Sequence, residues 1–163
     1  MSPEIYLISD NLPGSLFIMP CPSGDHLSRD IKAYRARGVD VVVSMLDVDE
    51  AAELGLSDEA DACERVGIAF IHSPIADFGL PDRSVFMRLV TQIAQMLKDG
   101  KAVAVHCRAG IGRSGMVTSG ALIALGVDAQ SAVARITAAR GHVIPDTVEQ
   151  GRFIADFGRR VNQ

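Results

Sequence analysis

Ala102-Val103-Ala104-Val105-His106-Cys107-Arg108-Ala109-Gly110-Ile111-Gly112-Arg113-Ser114-Gly115 runs from an apolar strand through a glycine-rich loop into a helix. The first five residues read as a short central strand, and the helix is expected from about Arg113 to Leu125. A loop between a buried strand and a helix start carries free backbone N–H groups and the positive end of the helix dipole. Together these form an anion site. Glycines at 110 and 112 let the backbone curl until several N–H groups point at one centre.

Outward from this segment the chain alternates strands with helices. Ile5-Tyr6-Leu7-Ile8-Ser9 and Leu16-Phe17-Ile18-Met19 read as strands joined by a turn at Asn11-Leu12-Pro13-Gly14. Leu27, Ile31 and Tyr34 recur at helical spacing between Asp25 and Arg37, and Gly38 ends that helix. Val39 to Leu46 is a buried-strand run centred on β-branched Val41-Val42-Val43. Short acidic helices are expected at Asp49 to Leu54 and Ser57 to Val66, then a strand at Ile68 to His72. Past the turn-rich Ser73-Pro74-Ile75-Ala76-Asp77-Phe78-Gly79-Leu80-Pro81, Asp82 caps a long helix. Its apolar stripe is Val85, Phe86, Leu89, Val90, Ile93, Met96 and Leu97, and Lys98-Asp99-Gly100 stops it. Two more helices are expected from Asp128 to Arg140 and from Asp146 to Arg160. This order predicts an α/β fold with a small, largely parallel central sheet flanked by helices. No repeat or linker divides residues 1–163, which read as one domain.

Composition narrows the function classes. At 163 residues and 48% hydrophobic, the chain can build an ordinary globular core. Aromatics are 5% with no Trp, and the net charge is −4, so neither base stacking nor a basic field for nucleic acid is available. Nine acids and no Lys or Arg fall in residues 40–64, leaving the remainder at +5. That run reads as a solvated helical face, with a docking surface for a basic partner as the other reading. Three cysteines, Cys21, Cys63 and Cys107, make no disulfide framework, and the four His are too scattered for a zinc site. Met1-Ser2-Pro3-Glu4 has no signal-peptide character, and the weakly polar stretch Met116 to Val127 is too short to span a bilayer. A reducing cytoplasm, no membrane association and a monomer are expected.

Two motifs overlap at the loop. Gly110-x-Gly112-x-x-Gly115 matches the dinucleotide fingerprint in form, but the segment after its helix has helical spacing at Ala132, Val133 and Ile136 where a strand is needed. A Walker loop is absent, since the sole Gly-Lys pair, Gly100-Lys101, precedes the strand. The other motif is Cys107 followed after five residues by Arg113, with His106 before and Ser114 after. A thiol is nucleophilic only when ionised, and its pKa of about 8.5 falls at helix N-termini beside cations. The planar Arg113 guanidinium can grip two phosphoryl oxygens at once, which Lys cannot. Ser114 offers a hydroxyl to the sulfur as a leaving group. His106, last in the strand, is expected to orient the loop through hydrogen bonds, with a role as base the other reading. Arg108, Ala109, Gly110, Ile111, Gly112 and Arg113 form the candidate phosphate cradle.

His106-Cys107, five residues, then Arg113-Ser114 resembles the signature of the cysteine-dependent protein tyrosine phosphatase superfamily. The size, and the lack of a Lys-Asn-Arg-Tyr segment, place the likeness in the compact dual-specificity branch. Pro74 to Asp82 looks like the acid loop of the kinase-associated (cyclin-dependent kinase inhibitor 3-like) phosphatases. Met19-Pro20-Cys21-Pro22 and Thr147-Val148-Glu149-Gln150 fit the same group. The resemblance implies Asp77 as general acid, in a Gly- and Pro-bounded loop able to close, with Asp82 as the rival whose place suits a helix cap. It also implies a cysteinyl-phosphate intermediate formed without metal or cofactor. Family members with Gln-Thr-x-x-Gln use the glutamines to place the hydrolytic water. Here Asp146 replaces the first, so either Gln150 acts alone or Asp146 merely caps the last helix.

Arg108 and Ile111 stand at family positions facing the pocket rim, where lipid- and inositol-phosphate enzymes place Lys. A phosphoprotein substrate is therefore expected, phosphotyrosine first, with phosphoserine or phosphothreonine also admitted. Phe78 either stacks on an aryl phosphate or anchors its loop. Cys21 and Cys63 are expected to be packing residues. A non-protein phosphoester such as a phosphoinositide, a phosphate-binding pseudoenzyme, and sulfur or arsenate transfer are the alternatives.

Overall fold

The computed structural model describes residues 2–10 and 12–161. Its strands are β1 (Tyr6–Ser9), β2 (Ser15–Met19), β3 (Val41–Ser44), β4 (Ala69–His72) and β5 (Ala102–His106). They form one sheet in the order β1-β2-β5-β3-β4. Only the β1–β2 pair is antiparallel; β2–β5, β5–β3 and β3–β4 are parallel. The expected α/β class with a largely parallel sheet is the observed one. The β1–β2 hairpin also forms, although Asn11 of its expected turn lies outside the described residues.

Alternation along the strands divides the core. Leu16, Ile18, Val41, Val43, Val103 and Val105 face one side, where Phe86, Val90, Met116, Val117 and Ile154 meet them. Phe17, Met19, Val42 and Ala104 face the other and meet Ile31, Tyr34 and Cys63. Both faces of a parallel sheet must be covered, which is why its strands read as continuous apolar runs. The first layer consists of α4 (Arg83–Lys98), α5 (Arg113–Ala124), α6 (Ala129–Arg140) and α7 (Val148–Val161). The second contains α1 (Leu27–Ala36) and α3 (Glu59–Arg65), with α2 (Val48–Glu53) leading into it. All residues of α5 from Arg113 to Ile123 are buried, so this helix is the hub of its layer. Phe86 of α4 meets Phe153 and Phe157 of α7 edge-on, at centroid separations of 4.8 and 5.1 Å.

The element borders differ from expectation for local reasons. A 3-10 turn at Gly24–His26 precedes α1, and β3 ends at Ser44. Beyond it, Met45 turns to donate its N–H to the His106 carbonyl and accept from Ile75 N–H, at 3.1 and 3.0 Å. The carboxyl ends of β2, β3 and β5 therefore open at one edge of the sheet, the usual place for a ligand crevice in such folds.

Candidate active site

Cys107 is the first residue beyond β5 and is 2% exposed. The loop after it is held from outside. Cys21 N–H donates to the Arg108 carbonyl at 3.1 Å. Arg140 Nη2 and Nε donate to the carbonyls of Ala109 and Gly110, both at 3.0 Å, with its guanidinium 4.5 Å above the Tyr6 ring. Three successive carbonyls thus point away from the loop centre. In trans peptides the following N–H groups point the opposite way, toward a common anion position. Gly110 has φ +74°, and a Cβ there would stand 2.5 Å from the Met19 carbonyl oxygen, so no side chain fits this curl.

Arg113 and Ser114 open α5, and both are buried. Ser114 Oγ–H donates to Cys107 Sγ at 2.8 Å. Arg113 is gripped end-on by Glu50 of α2, with Nη1–Oε1 at 2.7 Å and Nη2–Oε2 at 2.9 Å, and Nη1 also donates to the Ile75 carbonyl at 3.0 Å. The second contact of Nη2 is Asp77 Oδ1 at 3.1 Å. Asp77 sits in a tight turn in which Gly79 N–H donates to the Ala76 carbonyl at 2.8 Å and Phe78 takes φ +58°. Asp82 is committed to α4, accepting from Val85 N–H at 3.0 Å.

At the start of α7, Gln150 is fully buried. Gln150 N–H donates to Thr147 Oγ1 at 3.0 Å, and Gln150 Oε1 accepts from the N–H groups of Asp146 and Thr147. That is a capping box with Thr147 as the cap, so Asp146 does not cap the last helix as expected. Asp146 Oδ2 instead lies 2.5 Å from where a Gly112 Cβ would stand, with Gln150 Oε1 at 2.9 Å. Gln150 Nε2 donates to the Gly79 carbonyl at 3.3 Å, joining α7 to the Asp77 turn.

Electrostatics follow the contacts. Hydrogen bonds from Arg113 hold the Glu50 carboxyl below the usual carboxylate range despite its burial. Burial works against the charge of Arg113, but Glu50, Cys107 and Asp77 outweigh it and keep the guanidinium's pKa above its ordinary value. Burial pushes the Cys21 thiol up to about 11 and the Cys63 thiol up to about 12, with Glu59 adding to both. Both therefore remain protonated near neutrality, in keeping with packing roles.

The solvated-face reading of the acidic run needs correction at two positions. Glu50 and Glu59 are 8% and 2% exposed, and each is bonded to a loop residue, Glu50 to Arg113 and Glu59 to His106. Glu50 lies in α2, just past β3 at the sheet end that carries the cationic loop, which is the one signal in the sequence that points to it, and Glu59 at the start of α3 has none. Arg140 is a further site residue that sequence reasoning misses, and nothing in its sequence context marks it. Phe78 is 63% exposed and so does not anchor its loop. Arg108 and Ala109 lie on the exposed outer part of the cradle, while Ile111 is half-buried and Gly110 and Gly112 are buried. Among the described residues, no three His, Cys, Asp or Glu side chains gather as metal ligands, and no helix is long and apolar enough to cross a membrane.

Residues 21–127 match the family model described as "Polymorphic toxin system, DSP-PTPase phosphatase". The chain belongs to this family. As a DSP-PTPase phosphatase family member it falls in the cysteine-dependent protein tyrosine and dual-specificity phosphatase superfamily. It is similar to cyclin-dependent kinase inhibitor 3 of Rattus norvegicus, 25% identical over 134 residues, which cover 81% of this chain and 63% of that protein. The Homo sapiens protein of that name is 23% identical over the same shares. The chain thus spans somewhat under two thirds of these relatives. In structure it resembles kinase associated phosphatase bearing a Cys-to-Ser substitution, with a TM-score of 0.88 at 20% identity, covering 99% of this DSP-PTPase family chain and 97% of that one. Tk-PTP in its active form gives 0.76 at 27% identity, covering 98% and 99%.

Proposed function

We propose that this chain is a phosphoprotein phosphatase that hydrolyses phosphotyrosine, and also phosphoserine or phosphothreonine where they reach the loop, through a cysteinyl-phosphate on Cys107. The observation that carries this reading is one cluster of contacts. Ser114 Oγ–H meets Cys107 Sγ at 2.8 Å, while the Arg113 guanidinium at the same loop meets Asp77 at 3.1 Å. The candidate nucleophile and charge clamp, both from the loop after β5, thus meet the candidate acid, which comes from the turn before α4.

The phosphoryl group sits on the loop N–H groups of residues 108–113, with Arg113 across two of its oxygens. Glu50 occupies one end of the guanidinium and leaves Nε and the outer hydrogen of Nη2 for substrate. Asp77 now stands on that outer edge, so an arriving phosphoryl oxygen displaces it toward the leaving group. The Cys107 thiolate attacks phosphorus, the bond from phosphorus to the leaving oxygen breaks, and protonated Asp77 gives that oxygen its proton. Water then attacks the cysteinyl-phosphate and passes a proton to the Asp77 carboxylate. The sulfur–phosphorus bond breaks, and the Ser114 hydroxyl stabilises the departing thiolate. The loop amides and Arg113 supply the positive charge, so the cycle requires no metal and no cofactor. Gln150, tied to both Gly79 and the helix start, places the water, and a buried amide suits that role better than the Asp146 carboxylate. The exposed Phe78 ring beside Asp77 supports an aryl phosphate as the first substrate. Residues 1–163 act as one phosphatase domain. Free thiols at Cys21, Cys63 and Cys107 suit a reducing cytoplasm, and the unit proposed is a monomer with a phosphorylated protein as partner.

The test is a phosphotyrosyl-peptide assay in chelator, followed by acid quench and mass mapping of the phosphate. An S-linked phosphate on the peptide containing Cys107 is expected. Activity that needs added metal, or phosphate carried by another residue, overturns the reading. Asp77→Ala lowers kcat/KM for a phosphotyrosyl peptide by about 10²–10⁴-fold, and the loss in kcat/KM is smaller for substrates whose leaving group needs no proton. An equal loss in kcat/KM for the phosphotyrosyl peptide and a difluorinated aryl phosphate removes Asp77 as the acid. Gln150→Ala slows hydrolysis of the intermediate more than its formation, seen as a burst larger than in wild type. Unchanged burst and steady-state rates take Gln150 out of the cycle.

A further inference from the structure

His106 ends β5 and is fully buried. Its Nδ1 lies 2.9 Å from the Cys107 carbonyl oxygen, and its Nε2 lies 2.6 Å from Glu59 Oε2 on α3. A carbonyl oxygen only accepts, so Nδ1 carries a hydrogen. One proton then lies on the Nε2–Oε2 contact, whichever atom holds it. Both ring nitrogens are engaged, and neither partner is free to move, because Glu59 is 2% exposed and Cys107 is covered. Rotating the imidazole would break two buried hydrogen bonds at once.

The Cys107 carbonyl is drawn back toward His106, and so the Arg108 N–H of the same peptide unit turns forward, into the array left by the outward carbonyls of residues 108–110. The hydrogen-bonded chain Glu59–His106–Cys107 also presents its donor end to the residue that bears the sulfur, an arrangement that favours negative charge there. We infer that Glu59 is a positioning residue, which acts through His106 to set the Cys107 carbonyl and to favour the ionised sulfur. This rests on the reading of Cys107 as nucleophile. It goes further in assigning a function to a carboxylate from the acidic segment on the opposite side of the sheet from α5.

A purely structural role is the competing account, with Glu59 only docking α3. Ionisation of Cys107 separates the two. The other groups facing the pair stay in place in a Glu59 variant. Around Cys107 these are Arg113, with Glu50 and Asp77 on it, Arg108 of the loop, and Cys21 beyond β2. Around Glu59 they are Cys63 of its own helix, Cys21, and Tyr34 of α1 beside Asp30. Cys21 and Cys63 are held protonated by burial, so a thiol-selective reagent near neutrality reports on Cys107.

The experiment measures iodoacetamide alkylation of the Cys107 peptide between pH 4 and 9 in the full chain, for wild type, Glu59→Gln and Glu59→Asp. Glu59→Gln retains an amide against Nε2 but removes the charge, and its acidic limb is expected about one pH unit above that of wild type, a tenfold loss of reactivity on the limb. Glu59→Asp keeps the charge one methylene further back and recovers part of the shift. Superimposed limbs for Glu59→Gln and wild type overturn the inference, whether or not melting temperature changes. Should Glu59→Gln fail to fold, Glu59→Asp decides: an acidic limb displaced above that of wild type supports the inference, and a limb superimposed on wild type overturns it. If wild type itself shows no acidic limb below neutrality and no phosphate ester is hydrolysed, the phosphatase reading falls, which is a different result from Glu59 failing alone.

Discussion

Cys107→Ser is expected to lower turnover of a phosphotyrosyl peptide by about a million-fold, the scale on which loss of a covalent nucleophile acts. The size follows from what the loop is built to do. Its N–H groups and the α5 dipole favour an anion, but a serine hydroxyl is too weak an acid to ionise under the same field. The substitution is nearly isosteric at a site that is 2% exposed, and the Ser114 hydroxyl can still donate to the new oxygen. The cradle of residues 108–113, the Arg140 brace and the Glu50 grip on Arg113 are all untouched. Binding should therefore survive while chemistry stops. Steady-state rates and calorimetric titration with the same phosphopeptide check the two halves. A variant that keeps more than about one per cent of wild-type turnover shows that another group attacks phosphorus. One that loses binding as well shows that the sulfur is needed for the cradle itself.

The parts of this molecule that are legible in the sequence are those set by local pattern. Val41-Val42-Val43 and Ala102 to Val105 read as strands and are strands, and the glycines at 110 and 112 mark a curled loop. Asp82 and Asp128 announce their helices because capping is a short-range hydrogen bond, and both accept from the N–H three residues on. Thr147 is hidden as the cap of α7 because Asp146 precedes it and is an equally good capping type. The rest of the site depends on long-range contacts. Glu50 and Glu59 look like surface acids from their neighbours, since both stand in short helices of an acidic run. Only the parallel pairing of β3 with β5 brings the residues after Ser44 onto the loop after His106. Arg140 reaches the loop from a helix end 30 residues away in sequence. The motif thus marks the candidate site, whereas its support, two carboxylates and one guanidinium, becomes visible only in three dimensions.

That support governs the second large effect. Arg113→Lys is expected to lower kcat/KM by about 10³–10⁵-fold, although the charge is retained. An ammonium cannot span two phosphoryl oxygens, nor can it fill both oxygens of Glu50 while still facing substrate. It would sit against Glu50 as a simple ion pair, drawn out of the position that the developing transition-state charge requires. The variant should still fold, because the buried carboxylate keeps a cation. Arg113→Ala would leave Glu50 buried without its partner, at a cost of about 3–5 kcal/mol, so Lys is the informative substitution. Stability gives an independent check on the same pair. The Glu50 pKa is lowered in the folded chain, so its contribution is complete above the ordinary carboxylate value and is lost as pH falls through the depressed folded value. The stability difference between wild type and Glu50→Gln should therefore be constant near neutrality and shrink on acidification below about pH 4. Arg113→Lys should show a weaker version of the same pH dependence, because one hydrogen-bonded contact replaces two. Should the Arg113→Lys enzyme stay within tenfold of wild type, charge alone suffices at this position and the bidentate geometry on Glu50 serves folding only.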